Sequence, residues 1–181
     1  GVTYSTLGAT HHTLEDIAVA SSIPNLTVLA PCDPSEVESV TEWCSSQEIG
    51  PVYLRLGKAG EPDLTSDAVE KWQFGKIRKI KDGRDLAIIT YGSISATAFD
   101  VSKNLDQIGI SNSIYFASTL KPFDTKRIKE IFRKYKRIAT IEEHVYEGSL
   151  GMQVKALAYD LKFKNRIDCF HLKDKVLHKD R

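Results

Sequence analysis

The sequence predicts an α/β fold of two three-layer units with mostly parallel sheets, the first incomplete at its N-terminus. Two observations carry this. Short apolar runs at 26–30, 52–56 and 85–91 alternate with amphipathic stretches of helical period, a pattern that suits parallel strands covered by helices on both faces. The chain also opens on the β-prone Val2-Thr3-Tyr4-Ser5 and reaches a polar turn at once, without the strands that would complete a neighbouring sheet. The first unit therefore reads as starting in mid-domain. The expected division is 1–57, a connector over 58–83, and a second unit over 84–181.

The elements follow in order. A helix is expected over 14–21 with Ile17 and Ala18 inward, capped by the Thr13 hydroxyl with Asp16 in a capping-box-like position. After a strand at 26–30, Pro34 opens a helix through 45, because its fixed φ suits the first helical position. Val37, Val40, Thr41 and Cys44 recur there at helical spacing as a buried stripe, leaving Glu36, Glu38 and Glu42 to water. A strand at 52–56 precedes the connector, which gains Gly, Pro and charge and holds an edge hairpin over 72–80. In the second unit, Asp85-Leu86-Ala87-Ile88-Ile89-Thr90-Tyr91 reads as a buried strand. It turns at Gly92-Ser93 into a helix over 94–107 that Gly109 stops. Strands at 114–117, 138–143 and 167–172 then alternate with a helix from Asp124, as cap, to 135 and another over 150–161.

Composition narrows the function classes. Lys and Arg total 25 against 24 Asp and Glu, a net charge of +1, which offers no electrostatic case for nucleic acid or membrane. No apolar run approaches the ~20 residues that span a bilayer, and no basic-then-apolar leader pattern opens the chain. Cys32, Cys44 and Cys169 lack metal-site or disulfide spacing, so reduced thiols in a cytoplasm are expected.

The candidate chemistry sits in three places. His11 and His12 fall in the turn before the first helix, where the positive helix end favours neutral imidazole able both to donate and to accept. Such a pair suits hydroxyls, carbonyls or a cofactor amino group, and equally an exposed loop pair. Arg55 ends a parallel strand at the carboxyl edge where ligands of open α/β sheets collect. Its guanidinium suits a sugar phosphate or a structural ion pair. Gly148-Ser149-Leu150-Gly151 precedes a helix in a geometry that can cradle phosphate, although the dinucleotide spacing is absent. The cations of 126–137 interleave with Ile128, Ile131, Phe132 and Tyr135 and read as a solvated helix face.

Several of these segments also stand in a familiar order. Gly8-Ala9-Thr10-His11-His12-Thr13-Leu14-Glu15-Asp16, Ile23-Pro24-Asn25-Leu26-Thr27-Val28, Ala30-Pro31-Cys32-Asp33 and Pro51-Val52-Tyr53-Leu54-Arg55-Leu56-Gly57 together resemble the later part of the pyrimidine-binding domain of transketolase. The remainder resembles the transketolase C-terminal domain, with Glu142-Glu143-His144 and 148–151 as a feature near the subunit interface. The likeness is strongest to short, two-subunit transketolases.

That resemblance implies two-carbon ketol transfer between phosphorylated sugars with thiamine diphosphate and Mg. The metal and diphosphate would be held by an N-terminal diphosphate-binding subunit or domain, in a homodimer or heterotetramer. It implies that His11 is the catalytic and cofactor-facing residue, that His11, His12 and Arg55 bind substrate, and that Arg55 takes the sugar phosphate. Leu7 stands where classical transketolases carry an Asp that contacts substrate hydroxyls, and the family's activating glutamate and stacking aromatics would precede Gly1. This chain alone is therefore expected to be inactive. Alternatives are 1-deoxyxylulose-5-phosphate synthase, which would show an Arg where Ala20-Ser21-Ser22 stand, a 2-oxoacid dehydrogenase β-type subunit, and a noncatalytic assembly or regulatory module.

Overall fold

The computed structural model describes all residues except 5, 47–49, 67, 69 and 176–181. A 3-10 turn, Gly8–Thr10, leads to α1 (Asp16–Ser22), β1 (Thr27–Leu29), α2 (Pro34–Ser46) and β2 (Val52–Leu54). Then come β3 (Arg78–Lys81), β4 (Leu86–Thr90), α3 (Ser95–Gln107), β5 (Asn112–Phe116), β6 (Thr119–Lys121), α4 (Thr125–Lys134), β7 (Arg137–Ile141), α5 (Leu150–Asp160) and β8 (Arg166–Phe170).

The larger sheet has the order β3-β5-β4-β7-β8, parallel except for β3 at one edge. Its central strand, β4, buries Ala87, Ile88, Ile89 and Thr90 completely, so both faces are covered and the continuous apolar run is explained. Helix α3 packs on β4 and β5, and α5 on β7 and β8. Helix α4 starts where Asp124 accepts from the Arg127 amide at 3.0 Å and turns Ile128, Ile131 and Phe132 inward. Its cations face outward, Arg127 toward Glu70 and Glu130 and Lys134 toward Asp82, as a solvated face requires.

The smaller sheet has the order β2-β1-β6. Strands β1 and β2 are parallel, and β6 adds antiparallel from the second half of the chain. One apolar core runs through both halves, from Ile17, Val28 and Cys32 to Ile89, Leu120 and Leu150.

Four expectations are corrected. Helix α1 starts at Asp16 with no side-chain cap; the Thr13 hydroxyl accepts from the Gly1 nitrogen at 3.0 Å, and the Leu14 amide goes to the Glu15 carboxylate at 2.7 Å. The buried stripe of α2 is rotated by about one residue. Glu36 and Val40 are buried, Trp43 stacks on Phe74 at 4.1 Å, and Thr41 is exposed. Glu36 turns inward because its carboxylate accepts from the Cys32 amide (2.8 Å), the Arg78 guanidinium (2.8 Å) and the Ser118 hydroxyl, which offsets the cost of burying a charge. Residues 72–80 form no hairpin; β3 pairs with β5 instead, inside the expected connector. Strand β6 falls where the sequence predicts no strand.

Candidate active site

The carboxyl end of β2 opens on a cleft of about 200 Å³ whose wall includes Tyr4, His11, Asp16, Tyr53, Arg55 and Glu143. Arg55 stands just past β2, where its amide extends the ladder by donating to the Leu29 carbonyl at 2.8 Å. Its Nε lies 3.1 Å from Asp16 Oδ2, and its Nη2 donates to the Glu143 carbonyl at 2.9 Å. Only a tenth of the side chain is exposed. The Tyr53 hydroxyl donates to the same Asp16 oxygen at 2.8 Å. Burial, then this bond to a carboxylate, pushes the Tyr53 phenol up to about 12. Arg55 is thus ion-paired and also forms part of the cleft wall.

The two histidines part company. His11 lines the cleft, with Nδ1 2.9 Å from the Thr10 hydroxyl and its ring 6.4 Å from that of Tyr4. His12 faces a separate hollow beside Leu14, Glu15 and Val145; its Nε2 donates to the Tyr4 carbonyl at 3.1 Å, and its Nδ1 is buried without a partner among the described residues. Successive side chains of non-helical backbone diverge, which separates them. The pair does not stand directly before the helix as expected. His11 closes the 3-10 turn, and residues 13–15 intervene before α1.

Behind the cleft lies a network that sequence reasoning missed. Glu142, almost fully buried, accepts from the Leu150 and Gly151 amides, each at 2.9 Å, and from the Tyr91 hydroxyl at 3.3 Å. Burial outweighs the two amides and raises the Glu142 carboxyl, while burial and the adjacent Glu142 charge raise Tyr91 well above the ordinary phenol. The carboxylate occupies the anion position at the start of α5, and Ser149 caps the Met152 amide at 3.0 Å. The phosphate-cradle reading of 148–151 is therefore corrected: the protein fills that position itself. His144, fully buried, accepts from the Ala18 amide through Nε2 at 3.2 Å and donates from Nδ1 to the Val145 carbonyl at 2.7 Å, tying α1 to the second half. The one available sequence signal was a pair of acids at the end of a buried strand facing a Gly-Ser helix start.

Among the described residues no group of three or more His, Cys, Asp or Glu could hold a metal ion. No helix among them is long and apolar enough to cross a membrane.

Comparison with known proteins places this geometry. Residues 1–60 match the family model for the transketolase pyrimidine binding domain, and residues 75–179 match that for the transketolase C-terminal domain. An apulose-4-phosphate transketolase subunit from Phocaeicola vulgatus is 35% identical over 151 residues, covering 83% of this chain and 48% of the relative. The chain thus spans about half the length of that relative. A 1-deoxy-D-xylulose-5-phosphate synthase from Clostridium acetobutylicum is 31% identical over 172 residues, 94% of this chain and 28% of the synthase. Among solved structures, a split-gene transketolase described as an inactive beta4 tetramer superposes with a TM-score of 0.83 at 28% identity, over 92% of this chain and 55% of that one. A Pichia stipitis transketolase in complex with sedoheptulose-7-phosphate shares the fold, with a TM-score of 0.68 at 22% identity over 92% of this chain and 23% of that one. With both domain models matched in order over most of its length, the chain belongs to the transketolase family.

Proposed function

We propose that this chain forms one wall of a thiamine-diphosphate-dependent transketolase site that transfers a two-carbon ketol unit between phosphorylated sugars. The observation that carries the reading is the meeting of His11 and Arg55 in one cleft at the carboxyl end of β2, where ligands of α/β sheets collect. His11 has no partner at Nε2 among the described residues, which leaves that nitrogen for a donor hydroxyl or the cofactor amino group. Arg55 clamps the remote phosphate, and binding energy there orients the reacting end. His12, outside the cleft, acts on affinity through the Tyr4 backbone.

The residues present fit a cofactor only along this wall. Thiamine diphosphate, when bound, supplies the electron sink for C–C cleavage. Its diphosphate and Mg require donors from an N-terminal diphosphate-binding subunit or domain, joined with this chain in a cytoplasmic homodimer or heterotetramer. A second reading, 1-deoxyxylulose-5-phosphate synthesis, draws on the similarity that spans 94% of the chain.

The test is reconstitution of the full-length protein with a diphosphate-binding partner, cofactor and Mg²⁺. Ketol transfer from a ketose phosphate is expected, and none from the 181-residue chain alone. Decarboxylative coupling of pyruvate would select the second reading, and turnover by the lone chain would overturn the shared site.

A further inference from the structure

Arg55 is held from the second half of the chain at two points. Its Nη2 donates to the Glu143 carbonyl at 2.9 Å, and its guanidinium carbon stands 6.0 Å from the centroid of the Tyr91 ring. Glu143 follows β7 and Tyr91 follows β4, which are neighbouring strands of the larger sheet. Neither is loose. Tyr91 is fully buried, and its hydroxyl donates to Glu142, whose carboxylate is pinned by the Leu150 and Gly151 amides of α5. The approach of α5 to β7 leaves no room for a side chain at Gly151: a Cβ there would come within 2.6 Å of Thr140 Oγ1 and Cys169 Sγ. The helix start is thereby close enough for one carboxylate to bridge it to Tyr91.

An arginine held by Asp16 alone would have its charge balanced while its planar fork swung about the Nε contact. Bidentate recognition of an anion needs that fork aimed, because its donors are fixed relative to one another. The Tyr91 ring and the Glu143 carbonyl add two constraints. Both depend on Glu142, the first through a hydrogen bond and the second through the adjacent peptide.

We propose that Glu142 and Tyr91 are positioning residues through which the second unit aims Arg55 at the phosphate of a phosphorylated sugar. This rests on the phosphate-binding reading of Arg55 given above. Neither residue touches substrate; each acts through Arg55.

The experiment uses the complete enzyme with a ketose phosphate and its unphosphorylated counterpart, comparing Tyr91→Phe, Glu142→Gln, Arg55→Ala and the double variant Arg55→Ala/Tyr91→Phe. Tyr91→Phe keeps the ring over the guanidinium and removes only the hydroxyl. It is expected to raise KM for the phosphorylated substrate about fivefold, the scale of coupling carried by packed hydrogen-bonded networks, with kcat and the unphosphorylated substrate unchanged. In the Arg55→Ala background the same change should have no further effect, which a merely structural role would not produce. Glu142→Gln should follow Tyr91→Phe, and if it does not fold, Tyr91→Phe decides alone. A substrate-selective Arg55→Ala with an unselective or silent Tyr91→Phe overturns this proposal and spares the phosphate reading. Equal effects of Arg55→Ala on both substrates overturn the two together.

Discussion

Removing Arg55 should cost stability as well as substrate binding, and the pairing with Asp16 sets the amount. Both side chains are about nine-tenths buried, 10% and 9% exposed, with Nε and Oδ2 3.1 Å apart. Breaking a buried pair by deleting one partner costs about 3–5 kcal/mol. The lower end, about 3 kcal/mol, applies to Arg55→Ala, since the pair lies on a cleft wall and the Tyr53 hydroxyl still bonds Asp16. Asp16→Ala strands the guanidinium less severely, because the Glu143 carbonyl and the Tyr91 ring remain, and about 2 kcal/mol is expected. With both removed, no buried charge is left unpaired, so the double variant should lose about 3 kcal/mol, not the sum of about 5, a coupling of about 2 kcal/mol. Urea unfolding of the four proteins, followed by far-UV circular dichroism, measures each value. Losses that add to within about 0.5 kcal/mol would refute the reasoning, because a pair that matters cannot be additive.

Other expectations concern the histidines, one glycine and one buried acid. His11→Ala in the complete enzyme should lower kcat by about tenfold or more, whereas His12→Ala should act on affinity or on melting temperature; a normal kcat for His11→Ala removes it from the mechanism. Gly83→Ala should destabilise by about 3 kcal/mol, the upper end for overpacking, because its Cβ would come 2.3 Å from the Asn112 backbone carbon; an unchanged melting temperature would contradict this. Burial raises the Glu142 carboxyl above its ordinary 4.5, so the folded protein keeps that proton after the unfolded chain has released it. Stability should then fall as pH rises from about 4.5 toward the raised value and stay at the lower level beyond it. Glu142→Gln should flatten this slope, and equal slopes in the two proteins would exclude Glu142 as its source.

The sequence made the fold class legible where periodicity was strong. The run through Ile88 and Ile89 is central β4, and Asp124 followed by Ile128, Ile131 and Phe132 is a capped amphipathic helix. Polar burial was illegible, because an apolar stripe cannot announce a carboxylate that turns inward for distant partners. Glu36 depends on Arg78 and Ser118, and Glu142 on Tyr91 and α5. Strand β6 has three residues and no alternating run, so only its pairing partner defines it. At the cleft, the divergence of His11 and His12 followed from backbone geometry, whereas the Asp16 partner of Arg55 required the tertiary fold.

Strand β6 also sets where this chain can be recombined. It supplies one of three strands to the smaller sheet, and Lys121 on it donates to the carbonyls of Ser21, in the last turn of α1, and Ile23, just past it. A hybrid joined in the segment between β2 and β3 would therefore import a foreign edge for β1, a foreign clamp on the α1 exit, and a foreign Ser118 and Arg78 for Glu36. Successful grafts would need β1, α1 and the Glu36 position to travel with the donor's second half, so that the natural unit of exchange crosses the apparent domain border.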